Sequence, residues 1–198
     1  MSELVIIVTG PPGAGKTTVT RILADAPARA VCVHADDFWH AIRKGRIEPW
    51  LAEAQQQNEA VVDAVVAASF AYAQAGYEVY VDGIVGPWFL NPFINAAEQT
   101  TVPLHYVVLR PAEDVTLARA AGRGAGALTD VHPVRQMISA FEDLGEFERH
   151  VLDSSAQSPE QTAAAIRRGL GASAYLVRAT RRSGGARPPR QDPAARRQ

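Results

Sequence analysis

The sequence predicts an α/β fold in three layers, with a five-stranded parallel sheet between two layers of helices. Short apolar runs alternate along the chain with stretches of helical periodicity, which is the pattern of a parallel sheet covered on both faces. The first run, Leu4 to Thr9, is continuously rich in Val and Ile, as expected of a strand buried on both faces. A length of 198 residues suits one domain.

The strands and helices can be assigned in order along the chain. Strands are predicted at residues 4–9, 30–34, 78–81, 104–109 and 150–152. Helices are predicted at residues 16–26, 58–75 and 112–121, then around Pro133 and from Pro159 onward. Ser158 supplies a capping residue before Pro159, and proline is favoured at the first helical position, so the start of the last helix is well marked.

Two segments depart from this alternation. The segment GRGAGALTD has three Gly within five residues. We therefore expect a small flexible lid at about residues 122–131. Residues 176–198 are rich in Arg, Pro, Gly and Gln and hold few large apolar side chains. Such a composition cannot offset the entropy of ordering, so a disordered basic tail is expected after a folded domain of residues 1–175.

Charge and composition argue against several classes of protein. The formal net charge is −1, but residues 177–198 carry seven Arg and one Asp, which leaves about −7 on the preceding chain. An acidic body argues against a nucleic-acid partner. Cys32 is the single cysteine, so no internal disulfide can form, and neither a signal peptide nor an 18-residue apolar run is present. These features predict a cytoplasmic protein with no membrane partner.

The strongest signal is GPPGAGKT, residues 10–17, which matches G-x-x-x-x-G-K-[ST] between the first strand and a helix. Its glycines let successive N–H groups turn inward and form a cradle for phosphate oxygens at the positive end of the helix. Lys16, one of only two Lys in the chain, would reach the β- and γ-phosphates, and the Thr17 hydroxyl would bind magnesium. The motif therefore predicts binding of ATP and Mg²⁺ by Gly10, Pro12, Gly13, Ala14, Gly15, Lys16, Thr17 and Thr18.

Acidic residues follow the second and third predicted strands. Asp36 and Asp37 come after strand 30–34, whose carboxyl end opens onto the same crevice as the phosphate loop. A carboxylate there can orient an acceptor hydroxyl and take its proton, so Asp36 is the candidate base. Asp37 is either an acceptor contact or the N-cap of the next helix. Asp82 ends the third strand and is a candidate for ordering magnesium and contacting the acceptor, although Asp-Gly is also a common turn pair.

Aromatic and basic residues suggest the remaining parts of a site. Trp39 and Trp88 could wall an acceptor pocket or belong to the core, and Arg43 is a candidate acceptor contact in the same region. Arg119 and Arg123 lie four residues apart before the predicted lid. They could stabilise charge on a transferring phosphoryl group, or they could form a solvated helix face.

These motifs together resemble the small P-loop kinases of the nucleoside-monophosphate-kinase-like group, especially the gluconate kinase, shikimate kinase and chloramphenicol phosphotransferase branch. The resemblance covers about residues 4–170. It rests on GPPGAGKT, ADDF, VDG, the pair Arg119 and Arg123, and VLDSS. It implies that Asp36 positions the acceptor hydroxyl and that Arg119 and Arg123 are lid arginines. It also implies that the VLDSS loop, with Asp153 and Ser154, borders the adenine of the cofactor.

The sequence therefore predicts an ATP-dependent phosphotransferase that moves the γ-phosphate to a hydroxyl of a small molecule, as a monomer or a homodimer. A sugar acid, a nucleoside and an antibiotic are all suitable acceptors, and the segment between Trp39 and Gln57 carries no signature that selects one of them. The alternative is a nucleotide-binding regulatory ATPase or switch without an acceptor. The five His show no zinc-ligand spacing, so no zinc site is expected.

Overall fold

Five parallel strands form the centre of the protein. The computed structural model describes residues 3–121 and 131–178, except for the side chains of residues 131–133. The strands are β1 (Leu4–Thr9), β2 (Ala30–His34), β3 (Glu78–Asp82), β4 (Leu104–Leu109) and β5 (Val151–Leu152). Their order across the sheet is β2-β3-β1-β4-β5, and every neighbouring pair is parallel. The predicted five-stranded parallel sheet is confirmed.

Helices cover both faces of this sheet. They are α1 (Lys16–Ala24), α2 (Ala35–His40), α3 (Gln55–Gln74), α4 (Asn91–Thr100), α5 (Glu113–Ala121), α6 (Val131–Ala140) and α7 (Pro159–Gly171). Val5 and Ile7 of β1 pack with the helices α3 and α4, whereas Ile6 and Val8 pack with α1 and α7. All four side chains are fully buried, which is why this strand reads as a continuous apolar run. The three predicted layers are therefore present.

Some boundaries differ from the sequence-based expectation. Helix α3 begins at Gln55 instead of Asn58, and α1 ends at Ala24 instead of Ala26. Helix α4 was not predicted, because Asn91-Pro92 reads as a turn signal. Proline is also well accommodated in the first turn of a helix, where no N–H is needed, and the following Phe93 is fully buried. No helix in the described ranges is both long and apolar enough to cross a membrane.

The end of the described chain pairs with the sheet beyond residue 175. The amide of Tyr106 donates to the carbonyl of Tyr175, and the amide of Val177 donates to the carbonyl of Leu104, each at 2.9 Å. The Tyr175 ring lies against Gly169, where an added Cβ would come within 2.2 Å of it. Val177 is thus hydrogen-bonded to the sheet two residues past the domain boundary expected at residue 175. Residues 179–198 of the expected tail and residues 122–130 of the expected lid lie outside the described residues.

Candidate active site

The phosphate loop joins β1 to α1 and is held tightly from two sides. Gly10 has φ +142° and Gly13 has φ +90°. A Cβ on Gly10 would lie 2.2 Å from the carbonyl oxygen of Leu109, and one on Gly13 would lie 2.3 Å from the carbonyl oxygen of Thr116. The loop therefore rests on the carboxyl end of β4 and on helix α5, and both glycines are required by backbone shape and by space.

Lys16 lies at the first position of α1 and is nearly buried, with 6% of its surface exposed. Its Nζ donates hydrogen bonds to the carbonyl oxygens of Gly10 and Pro11, at 3.0 Å each. Gly15, the N-cap of this helix, has φ +92° and would meet nothing within 4 Å if it carried a Cβ. The loop thus holds an ammonium group at the positive end of a helix, beside open space.

His34 and Asp82 form a pair at the carboxyl ends of the adjacent strands β2 and β3. The two residues are register partners, and His34 Nδ1 lies 2.9 Å from Asp82 Oδ2. The Asp82 side chain is 6% exposed and that of His34 is 28% exposed. The two residues lie 48 positions apart along the chain. Since Oδ2 is occupied by the imidazole, Oδ1 is the oxygen of Asp82 left for any other partner.

Asp82 lies on the α1 side of the sheet. Cys32, two residues before His34, contacts the carbonyl oxygen of Thr20 in α1 through its Sγ, at 3.8 Å. Burial and the nearby negative charge of Asp82 raise the pKa of the Cys32 thiol. The carboxylate therefore lies on the face of the sheet that carries the helix after the phosphate loop.

Asp36 and Asp37 occupy the first turn of α2. This helix begins at Ala35 and His34 is its N-cap, so the alternative in which Asp37 caps the helix is wrong. The reason is a close approach: a Cβ on Gly83 would lie 2.6 Å from that of Ala35, so this glycine lets the helix start immediately after β2. Both carboxylates are exposed, and neither makes a hydrogen bond or ion pair with any residue in the described ranges. They remain available to a ligand at the edge of the sheet that carries the phosphate loop.

The segment between α2 and α3 is fastened by two amide side chains. Buried Asn58 accepts from the indole N–H of Trp39 at 2.9 Å and donates to the carbonyl oxygen of Pro49 at 2.7 Å. Gln57 brackets Ile47, with bonds of 2.8 Å to its N–H and 2.7 Å to its carbonyl oxygen. Trp39 is half-buried against the main core, and its one donor is already satisfied. Arg43, in the fastened segment, is exposed.

Trp88 belongs to an aromatic cluster at the border of the core. Its ring meets those of Phe89 and Phe141 edge to face, with centroids 6.4 and 5.8 Å away. A Cβ on Gly86 would lie within 2.4 Å of the same ring. Trp88 is therefore packed on several sides, and the interpretation in which it contributes to the core describes its surroundings best.

A cavity of about 280 Å³ adjoins the phosphate loop. Its walls come from the loop, α1, α5, α7 and the segment before α7, and the lining residues are Gly13, Ala14, Gly15, Thr18, Val19, Arg119, Ser154, Gln157, Pro159 and Thr162. Arg119 thus lies beside the phosphate loop. A second cavity, of about 200 Å³, lies at the amino end of β4, opposite the loop.

The segment that follows β5 is shaped by Asp153 and Ser155. The Oδ1 atom of Asp153 accepts hydrogen bonds from the amide and the hydroxyl of Ser155, and these bonds hold the pKa of this carboxyl below its usual range. The Ser155 Oγ in turn accepts from the amide of Ala112 at 2.7 Å. Asp153 is exposed and does not line the cavity, whereas its neighbour Ser154, 2% exposed, does.

Comparison with known proteins identifies the family. Residues 5–144 match the profile of a family described as an AAA domain, which is well over half of the chain. The chain belongs to this AAA domain family. A search of curated proteins finds no match.

Several solved structures share the fold of this AAA domain protein. The tunicamycin resistance protein of Deinococcus radiodurans has a TM-score of 0.64 at 19% identity, covering 86% of this chain and 96% of that one. A sugar kinase from Janibacter sp. HTCC2649 has a TM-score of 0.63 at 20% identity, covering 85% and 94%. Shikimate kinase from Acinetobacter baumannii, in complex with shikimate, has a TM-score of 0.59 at 20% identity, covering 86% and 94%. The resemblance to the small P-loop kinases is therefore confirmed at the level of fold.

The structure brings the predicted residues of this AAA domain protein together in two groups. Arg119 and the phosphate loop border the cavity, whereas Asp36, Asp37 and Asp82 lie at the carboxyl ends of β2 and β3. Arg123 lies outside the described residues. Sequence reasoning missed Gln157 and Asn58, because nothing in their local sequence indicates which distant groups they face.

Proposed function

We propose that the protein is an ATP- and magnesium-dependent phosphotransferase that moves the γ-phosphate to a hydroxyl of a small molecule. The observation that carries the proposal is the geometry of the phosphate loop. Lys16, the first residue of α1, has a buried ammonium group that is held by the carbonyl oxygens of Gly10 and Pro11. Anionic phosphate oxygens are stronger acceptors for an ammonium group than neutral carbonyls. The fold shared with a sugar kinase and with a shikimate kinase supports this assignment.

Two side chains fit a magnesium ion that arrives with the nucleotide. Thr17, in the first turn of α1, offers a hydroxyl, and Asp82 retains a free carboxylate oxygen beside its bond to His34. Oxygen donors of this kind suit Mg²⁺, which keeps several waters and takes other ligands from the phosphates. The described residues hold no group of three or more His, Cys, Asp or Glu side chains that could bind a metal by themselves. When bound, magnesium would neutralise charge on the β- and γ-phosphates.

Asp36 is the residue that we assign to the acceptor. The acceptor oxygen forms a bond to the γ-phosphorus while the bond from this phosphorus to the β-bridging oxygen breaks, and ADP leaves. The hydroxyl proton passes to the Asp36 carboxylate, which is exposed and free of partners in the described parts of the chain. Arg119, in the wall beside the phosphate loop, counters the charge of the transferring group, and we assign the same role to Arg123.

The acceptor itself is sought by a screen that couples ADP release to a library of hydroxyl compounds, among them sugar acids, nucleosides and antibiotics. The wild type, Asp36→Asn and Asp63→Asn are run in parallel. Asp63 is an exposed carboxylate in the middle of α3 and serves as the matched control. We expect an acceptor to stimulate ADP release by the wild type and by Asp63→Asn, and Asp36→Asn to lose at least about 100-fold of that stimulation.

The same screen distinguishes a phosphotransferase from a nucleotide-dependent switch. A switch would hydrolyse ATP slowly, at a rate that no acceptor changes and that Asp36→Asn leaves intact. That result would overturn the assignment of Asp36 and favour the regulatory ATPase. Loss of ATP binding in Lys16→Ala, measured by calorimetry, is expected under both functions and tests the phosphate loop alone.

A further inference from the structure

Asp82 is a nearly buried carboxylate with a single hydrogen-bond partner among the described residues. Its side chain is 6% exposed, and its bond joins Oδ2 to Nδ1 of His34 at 2.9 Å. A carboxylate has about four acceptor sites, so one bond leaves most of them unused. A buried charge with so few donors around it is unfavourable. The position of Asp82 therefore calls for a partner that the described chain does not supply.

The place of Asp82 in the sheet indicates the nature of this partner. Strand β3 lies between β2 and β1, and Asp82 is the register partner of both His34 and Val8. Register partners of neighbouring strands project to the same face, and Val8 packs with residues of α1. Asp82 is therefore one strand spacing, roughly 5 Å, from the strand that leads into the phosphate loop. It can thus meet the cation that a nucleotide carries onto this loop.

The bond from His34 decides how the Asp82 carboxylate is turned. A carboxylate oxygen can only accept, so Nδ1 carries the proton and donates to Oδ2. The last torsion of an aspartate is broad, and a carboxylate without this donor can rotate. His34 is itself fixed, because it ends β2 and directly precedes α2. The residues that follow the two strands, Ala35 and Gly83, are also in close contact, so the strand ends are held together.

We propose that His34 is a positioning residue for magnesium, which holds Oδ2 of Asp82 so that Oδ1 is presented to the ion; this inference rests on the proposed function. Groups that hydrogen-bond to a metal-binding side chain orient it, and their removal typically weakens metal binding about 10- to 100-fold. Magnesium takes oxygen ligands, so the carboxylate and not the imidazole meets the ion. The imidazole therefore orients, and the carboxylate binds.

The test measures how much magnesium strengthens nucleotide binding. The affinity for a non-hydrolysable ATP analogue is determined by calorimetry with Mg²⁺ and again with EDTA in its place. The ratio of the two dissociation constants is the magnesium gain. The variants are His34→Leu, His34→Asn, Asp82→Asn and the combination of His34→Leu with Asp82→Asn. The control is His40→Leu, at the exposed end of α2, and each protein is measured as the full chain.

We expect His34→Leu and Asp82→Asn each to reduce the magnesium gain about 10-fold, and His40→Leu to keep it within about 2-fold of the wild type. Affinity in EDTA should not fall in any variant, because without the ion a carboxylate only repels phosphate.

The combined variant should match Asp82→Asn within about 2-fold, because His34 acts through that carboxylate. In His34→Asn the side-chain amide can donate from the place of Nδ1, so the gain should recover to within about 3-fold of the wild type.

The competing interpretation is that the bond only fastens β2 to β3. It predicts that His34→Leu lowers the thermal midpoint of the ligand-free protein and leaves the magnesium gain unchanged, and this result would overturn the inference. Additive losses in the combined variant would also overturn it, since His34 would then act without Asp82.

Two outcomes in the wild type separate this inference from the proposed function. Binding of the analogue that magnesium does not strengthen would refute the inference and leave the phosphate loop intact. Failure of the analogue to bind, with Mg²⁺ or with EDTA, would refute the proposed function and, with it, the role of His34.

Discussion

The contact between the phosphate loop and helix α5 predicts that two glycines of one loop differ in their tolerance of alanine. Gly13 and Gly15 have nearly equal φ, +90° and +92°. Alanine at either position therefore carries a similar backbone penalty, on the order of 1–2 kcal/mol. Their surroundings differ: a Cβ on Gly13 would lie 2.3 Å from the Thr116 carbonyl oxygen and 3.1 Å from the Ala120 amide, whereas one on Gly15 would meet nothing within 4 Å.

The atoms near Gly13 belong to backbone, so the clash cannot be relieved by rotating a side chain. Helix α5 would have to move by roughly 1 Å to restore an ordinary contact. Overpacking of this kind adds about 1–3 kcal/mol. We therefore expect Gly15→Ala to lower the free energy of unfolding by about 1–2 kcal/mol and Gly13→Ala to lower it by about 2–5 kcal/mol.

Urea unfolding followed by circular dichroism, with linear extrapolation to zero denaturant, measures both values under one set of conditions. The ranking is the test, since the backbone penalty is shared and cancels in the comparison. If Gly13→Ala proves no more destabilising than Gly15→Ala, then helix α5 does not rest on the loop, and Arg119 in that helix is not held beside the phosphates.

Two further predictions concern parts of the fold that support the site. Asn58→Ala should lower the free energy of unfolding by about 1–3 kcal/mol, because it leaves the indole N–H of the half-buried Trp39 without its acceptor. The control Asn95→Ala, at an exposed position of α4, should change it by less than about 0.5 kcal/mol in the same assay, and equal effects would contradict the contact. The free energy of unfolding should also fall from pH 7.5 to 5.5, because burial lowers the pKa of both His105 and His150 from the ordinary 6.5, so that the unfolded chain takes up protons first. Urea unfolding at the two pH values measures this change. His150→Gln should reduce the dependence of stability on pH, whereas a stability that does not change with pH in the wild type would contradict the prediction.

The protonation state of His150 follows from its bonds. The side chain is fully buried, its Nδ1 lies 2.9 Å from the carbonyl oxygen of Tyr106, and its Nε2 accepts from Nε of Arg149 at 3.2 Å. A carbonyl can only accept, so Nδ1 carries the proton and Nε2 does not. Burial disfavours a charged ring, and a protonated ring would also lose the bond from Arg149 and face its positive charge. These two effects, burial first, are the physical reason for the expected acid sensitivity.

The sheet and the phosphate loop could be predicted from the sequence because their signals are local. Strands β1, β2 and β4 have the predicted bounds, because each is a short, mainly apolar segment of the sequence. In β1, burial on both faces accounts for the consecutive Val and Ile residues. The loop was recognisable because its chemistry requires glycines at fixed positions, and the structure gives Gly10, Gly13 and Gly15 positive φ. The predicted N-cap of α7 at Ser158 is also present, because a helix cap is likewise a signal within a few neighbouring residues.

The parts that could not be predicted depend on which elements become neighbours. The bond between His34 and Asp82 exists because β3 lies next to β2, and the order of strands in a sheet leaves no mark in either strand. Gln157 acquires its surroundings from the loop, α5 and α7 together, which meet only in the folded chain. The resemblance implies that both Asp153 and Ser154 border the adenine. The Asp153 carboxylate is hydrogen-bonded to Ser155, whereas the neighbouring Ser154 lines the cavity.

The most direct test of nucleotide binding by the phosphate loop is a crystal structure of the protein with magnesium and a non-hydrolysable ATP analogue. We predict that the terminal phosphates lie in the cradle formed by residues 10–17 and that Lys16 Nζ has left the carbonyl oxygens of Gly10 and Pro11 for phosphate oxygens. Phosphates bound elsewhere, or a Lys16 that keeps both carbonyl bonds with nucleotide present, would contradict this prediction.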